Sequence, residues 1–175
     1  MSQAVSSSTL FSWSSESVQS LLVGHPVETY RFTRASGWTG SDTQTDTPEQ
    51  LLLTDNCASA TPQFAEARLY TAQVTFAAAG TIGPGTRPLT ITVYGKRPGA
   101  AAVAIATGTL TAAQRHGTAG LAYTCTVSNT GKAFNLTGAL LYVTGQLGSG
   151  TASSAEATKC VVSCLVGPRR ENIDL

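Results

Sequence analysis

Charge is what this sequence is shortest of: only 12% of its 175 residues are Asp, Glu, Lys or Arg. Eleven basic residues nearly balance ten acidic ones, and no stretch gathers more than two neighbouring cations. Binding to nucleic acid draws on several cations collected on one face to release counterions from phosphate, so no specific nucleic-acid partner is expected. The pair Arg169-Arg170 reads as a solvated tail. Histidine is also scarce. His25 precedes a proline, His116 lies in the turn-like Gln114-Arg115-His116-Gly117, and no Gly-x-Ser-x-Gly elbow is present to hold a nucleophile. There is no run of about 18 apolar residues, and MSQAVSSSTLFSW has neither a cationic start nor a continuous apolar stretch. The expectation is a chain made in the cytoplasm of its host cell, with no membrane span.

Other absences exclude cofactor and metal chemistry by motif. Gly80-Thr81-Ile82-Gly83-Pro84-Gly85 is rich in glycine, but it lacks a Gly-Lys-Ser/Thr ending, and Pro84 removes a backbone donor. It reads as a tight loop between strands. The four cysteines, Cys57, Cys125, Cys160 and Cys164, do not form the two tight pairs that zinc favours. On a strand, Cys160 and Cys164 share one face about 13 Å apart, too far to bridge each other. They are expected to be small buried hydrophobes, with Cys125 and one of the other two inside the core. No cofactor and no metal are expected.

What is present is hydroxyl and apolar surface in alternation, with 42% hydrophobic residues. At this length one domain can bury about 70% of the surface that its unfolded chain exposes. The period of two marks strands over Val27–Arg34, Glu49–Thr54, Arg68–Ala77, Gly120–Val127, Ala133–Thr144 and Ala157–Val166. In Arg68–Ala77, Tyr70, Ala72, Val74 and Phe76 point inward, and Leu69 is the misfit on the outward face. The segment Pro88–Thr107 predicts a hairpin, since Lys96-Arg97-Pro98-Gly99 carries Pro and Gly in the order of a type II turn. The core is expected from Tyr30, Phe32, Tyr70, Val74, Phe76, Ile91, Val93, Val103, Ile105, Leu121, Tyr123, Phe134, Leu140, Tyr142 and Val162. Short strands at intervals of about 10 to 20 residues without helical periodicity predict an all-β chain. The expected form is a single antiparallel β-sandwich or jelly-roll-like domain over residues 25–167, with extended arms at 1–24 and 168–175.

A nearly uncharged β domain rich in Thr, Ser, Ala and Gly resembles, in general character and without any shared motif, small phage capsid and capsid-decoration (cement) proteins. That likeness implies a non-enzymatic virion component working by multivalent symmetric contacts with copies of itself and with other capsid proteins. On this reading Leu10, Phe11 and Trp13 in the N-terminal arm, and Arg169, Arg170 and Leu175 in the tail, carry the assembly contacts. The alternative is a carbohydrate- or receptor-binding β-sandwich module of tail or fibre type, in which Trp13, Trp38, Tyr30 and Tyr94 supply stacking surface. The loop between Ala35 and Pro48, with Trp38, Asp42 and Asp46, is then the ligand loop, although it lacks the rhythm of a calcium-binding hand. A small β-fold hydrolase is a third reading, and it requires a cleft that brings His25 or His116 to a carboxylate.

Overall fold

The structure is a computed structural model and describes residues 27–34, 48–53, 57–76, 87–115, 120–150 and 160–169. It is all-β. The strands are β1 (Glu28–Arg34), β2 (Glu49–Gln50), β3 (Leu52–Leu53), β4 (Ala67–Phe76), β5 (Leu89–Lys96), β6 (Val103–Leu110), β7 (Tyr123–Val127), β8 (Leu140–Leu147) and β9 (Cys160–Pro168). Two single helical turns, Ala112–Arg115 and Asn129–Ala133, are the only helices among the described residues. All strand pairs are antiparallel, in the order β2-β8-β5-β6-β7-β4-β9-β1-β3.

The pairings nest. The hairpin β5·β6 is innermost, β4 pairs with β7 around it, β2 with β8 around that, and β1 with β9 outermost. The two ends of the sheet, β2 and β3, are one chain segment with Leu51 between them. Glu49 and Gln50 lie against Gly145 and Thr144 of β8, the Leu51 N–H donates to the Val143 carbonyl at 2.9 Å, and Leu52 and Leu53 lie against Thr33 and Phe32 of β1. One strap of residues therefore serves both margins and nearly closes the sheet on itself. Leu51, 1% exposed, fills the core beneath it. Outside, Arg34 donates from Nε to Glu49 at 2.9 Å, and a second guanidinium nitrogen lies 2.9 Å from the other carboxylate oxygen.

The central hairpin is as the sequence predicts. Leu89, Ile91 and Val93 are buried while Thr90, Thr92 and Tyr94 face outward. At the turn, Ala100 N–H donates to the Arg97 carbonyl at 3.1 Å, and Gly99 has φ +70°, the conformation that a type II turn requires at its third residue. The core of Phe32, Val74, Phe76, Ile91, Val93, Ile105 and Val162 is also as expected.

Three expectations are corrected. Leu69 is 3% exposed and belongs to the core, and Tyr70 does not. A β-bulge between Leu69 and Thr71 inserts Tyr70 and resets the alternation; its ring packs on Leu165 beside Val27, and its hydroxyl donates to the Pro168 carbonyl. In the stretch Ala133–Thr144, the strand begins only at Leu140 and runs on to Leu147, with Leu141, Val143 and Leu147 inside. Leu140 is 41% exposed, Tyr142 lies on the outer face and Phe134 is only partly buried. The physical reason is an N-cap: Ser128 Oγ accepts from Gly131 N–H at 2.9 Å and starts a helical turn in place of a strand. Asn135 Oδ1 then accepts from Thr137 N–H at 3.0 Å, and Gly138 at φ +65° completes the excursion. Finally, Leu121 is 50% exposed, because Gly120 at φ +78° delays β7 to Tyr123. Tyr30, Val103 and Tyr123 are partly buried at the margins of the core.

Candidate functional site

The cysteines were the first candidates for chemistry, and three of them are structural. Cys125, Cys160 and Cys164 are buried, so both members of the Cys160/Cys164 pair are inside rather than one. Cys164 and Cys125 flank Ala72 on its two sides, two strands and therefore about 9.6 Å apart, beyond the reach of a disulfide. Burial pushes the Cys125 thiol up to about 11 and the Cys160 thiol up to about 12, and it raises Cys164 as well. These groups remain protonated and unreactive at neutral pH. Cys57 is exposed. Among the described residues no three His, Cys, Asp or Glu side chains are grouped so that they could hold a metal ion.

An open groove of about 510 Å³ lies where β1 leaves the strap. Thr29, Tyr30 and Arg31 line one side, Ser59, Ala60 and Thr61 the other, with Leu53 and Cys57 between them. The second side is pinned to β8 by a reciprocal pair of hydrogen bonds between Ala60 and Leu141, at 2.9 and 2.8 Å. Tyr30 donates its hydroxyl to the Glu28 carboxylate, and its pKa is raised above the ordinary phenol value, first by burial and then by that carboxylate. Tyr30 therefore stays a phenol and cannot serve as a base. The described lining holds one cation, Arg31, and no histidine.

The second candidate is the outer face of β8, β5 and β6. Strand alternation turns one set of side chains outward in transverse rows: Tyr142, Tyr94 and Ala104 in one, then Thr144, Thr92 and Thr107, then Gln146, Thr90 and Thr109. None of these residues is charged. Tyr94 and Tyr142 stack with ring centroids 5.1 Å apart and planes 15° from parallel. Burial, with the neighbouring Tyr94 second, raises the Tyr142 pKa, so its hydroxyl stays a neutral donor and acceptor. Thr90 and Thr109 hydroxyls meet at 3.3 Å across the strands.

Sequence reasoning named Tyr94 and Tyr30 as stacking residues, and the structure places them in different sites. It missed Tyr142, which was assigned to the core. The available signal was the competing register Leu141, Val143, Leu147, which fits the period as well and leaves Tyr142 outside. Of the expected assembly residues, Arg169 is described: its N–H donates to the Glu66 carbonyl at 2.9 Å, and its half-exposed guanidinium lies 4.0 Å from the Glu66 carboxylate. Leu10, Phe11, Trp13, Arg170 and Leu175 lie outside the described residues, as do Trp38, Asp42, Asp46, His25 and His116. No helix among the described residues is long and apolar enough to cross a membrane. No protein-family model matches this sequence, and no curated protein matches it.

Proposed function

We propose that the chain is a non-enzymatic building block of a viral particle, a coat or capsid-decorating subunit whose β domain is a jelly roll. The observation that carries this reading is the nested strand order. Pairs β1·β9, β2·β8, β4·β7 and β5·β6 form a long two-stranded ribbon. Rolled up, that ribbon makes two four-stranded sheets, β1-β9-β4-β7 and β2-β8-β5-β6, the double Greek-key arrangement common in capsid and lectin domains. The two sheets meet at β6·β7 and at the strap through Leu51.

Composition supports the same reading. An assembly subunit buries part of its surface against neighbours, and each unpaired charge in such a contact costs desolvation. Faces built of threonine, serine and alanine carry little of that penalty. In this reading the residues before β1, with Leu10, Phe11 and Trp13, and the tail with Arg169, Arg170 and Leu175 clasp adjacent subunits or other capsid proteins.

Light scattering and negative-stain electron microscopy of the purified chain test the proposal. The expected result is a closed symmetric assembly, or decoration of a pre-formed capsid, that is lost when residues 1–20 are deleted while circular dichroism still reports a folded β domain. A chain that remains monomeric at every concentration and attaches to no particle refutes it. Assembly at the wild-type level without residues 1–20 removes the arm from the proposal.

A further inference from the structure

The pair Tyr94 and Tyr142 belongs to no core cluster, yet it is built with a specific open side. The two residues are direct cross-strand partners. Their centroid separation of 5.1 Å is close to the distance between neighbouring strands, so the nearly parallel rings stand side by side, facing along the line from β8 to β6. Tyr142 covers one face of Tyr94. The other face looks over the residue that β6 sets opposite it, which is Ala104, exposed and reduced to a methyl group.

A β-bulge creates that opening. Val93 pairs with Ala106, so an unbroken ladder would place Ile105 opposite Tyr94 and fill the space with a branched side chain. The extra residue instead sends Ile105 into the core together with Ala106, and Ala104 takes its place on the outer face. Bulges characteristically re-aim side chains next to binding sites. One row away stand the hydroxyls of Thr92, Thr107 and Thr144, and neither row holds a charge.

These features define the occupant. The uncharged rows over three strands span roughly 300 Å², less than the about 800 Å² per partner that a stable protein interface uses. A second copy is therefore too large a partner for this face alone. The two rows at the notch hold no charge and the row beyond Tyr94 adds only the single cation Lys96, so the notch lacks the clustered charge that phosphate or an anionic lipid surface draws on. A neutral sugar ring fits each element: its C–H face lies on the open ring of Tyr94, and its hydroxyls meet threonine hydroxyls that both donate and accept. We infer that the notch between Tyr94 and Ala104 is a subsite for a neutral hexopyranose unit of an uncharged glycan. The inference adds a ligand to the coat reading and does not rest on it.

Saturation-transfer NMR on the full chain, assembled or not, with uncharged oligosaccharides ending in glucose, galactose or mannose, is the test, with heparin as the anionic control. The expected result is saturable binding of at least one neutral sugar, weakened at least about tenfold by Tyr94→Ala and by Ala104→Ile. Ala104→Ile keeps both tyrosines and only fills the notch, so it remains informative if Tyr94→Ala does not fold. Absence of binding to every neutral sugar overturns the inference, as does binding of heparin alone. Unchanged sugar binding in Ala104→Ile overturns it too, including where that variant impairs particle assembly. A monomeric chain that binds sugar through Tyr94 leaves this inference standing and sinks the coat reading.

Discussion

Replacing Leu51 with alanine removes the side chain beneath the strap that joins both margins of the sheet. Leu51 is 1% exposed, and losing three buried carbons at about 0.8 kcal/mol each costs roughly 2.4 kcal/mol in transfer free energy. The unfilled cavity raises the expected loss to about 3 kcal/mol, within the usual 2–5 for a buried leucine. For a domain of this size that lowers Tm by roughly 6–12 °C and leaves the protein folded. The distribution of the loss is the sharper measurement. Hydrogen exchange should show early opening of the Leu51 amide on Val143 and the Leu53 amide on Cys57, with protection falling together along the facing margins of β8 and β1. Amides of the β5·β6 hairpin should exchange only by global unfolding. If one margin loosens and the other does not, the strap is not a shared closure. A uniform loss of protection across all strands refutes the reasoning in the other direction.

Gly131→Ala is expected to destabilise the protein by about 1–3 kcal/mol despite the better helix propensity of alanine, because a Cβ there would lie 2.0 Å from the Ile105 carbonyl oxygen; a chemical denaturation curve unshifted from wild type contradicts this. Thiol titration of the folded protein should modify exposed Cys57 quickly and Cys125, Cys160 and Cys164 only on unfolding, and a second fast-reacting thiol would break the assignment. The buried thiols also set an alkaline limit. Their pKa values are raised on folding, so their contribution to stability is complete below the unfolded value of 9.0 and is lost as pH climbs through about 11 for Cys125 and about 12 for Cys160. Cys125→Ala should flatten the fall in stability above pH 9, and an unchanged slope would mean that this thiol does not titrate on unfolding.

The sequence was legible where a single local rule decided the outcome. Leu89 to Tyr94 alternate without interruption, and Pro98-Gly99 permits one turn type, so the hairpin and the burial of its first strand followed directly. Reading failed wherever one residue changed the count. Tyr70 and Ile105 each occupy a bulge, and a bulge leaves no mark in a period-two pattern except a misfit such as Leu69. The helical turn after Ser128 was missed, because a single capping hydroxyl leaves no mark on the apolar periodicity around it. Closure through Leu51 could not be read at all, because Glu49 to Leu53 looks like one ordinary strand and its change of partner depends on where β1 and β8 lie. For the candidate site, Tyr94 was legible as an outward aromatic; the neighbour that stacks on it and the alanine beside it depend on register across three strands.

The nesting of the strands also dictates an order of folding. The hairpin β5·β6 closes a loop of a few residues, whereas β1·β9 joins the first described strand to the last and can gain its contacts only after nearly the whole chain has been ordered. Pairing therefore grows outward from Pro98-Gly99, and the strap joins both margins only once β8 lies on β5. Until then β8 and β1 present bare backbone donors and acceptors along two open margins, the template on which β proteins aggregate. Once seated, the five residues from Glu49 to Leu53 cover both margins and keep the finished domain from pairing edge to edge with its own copies there.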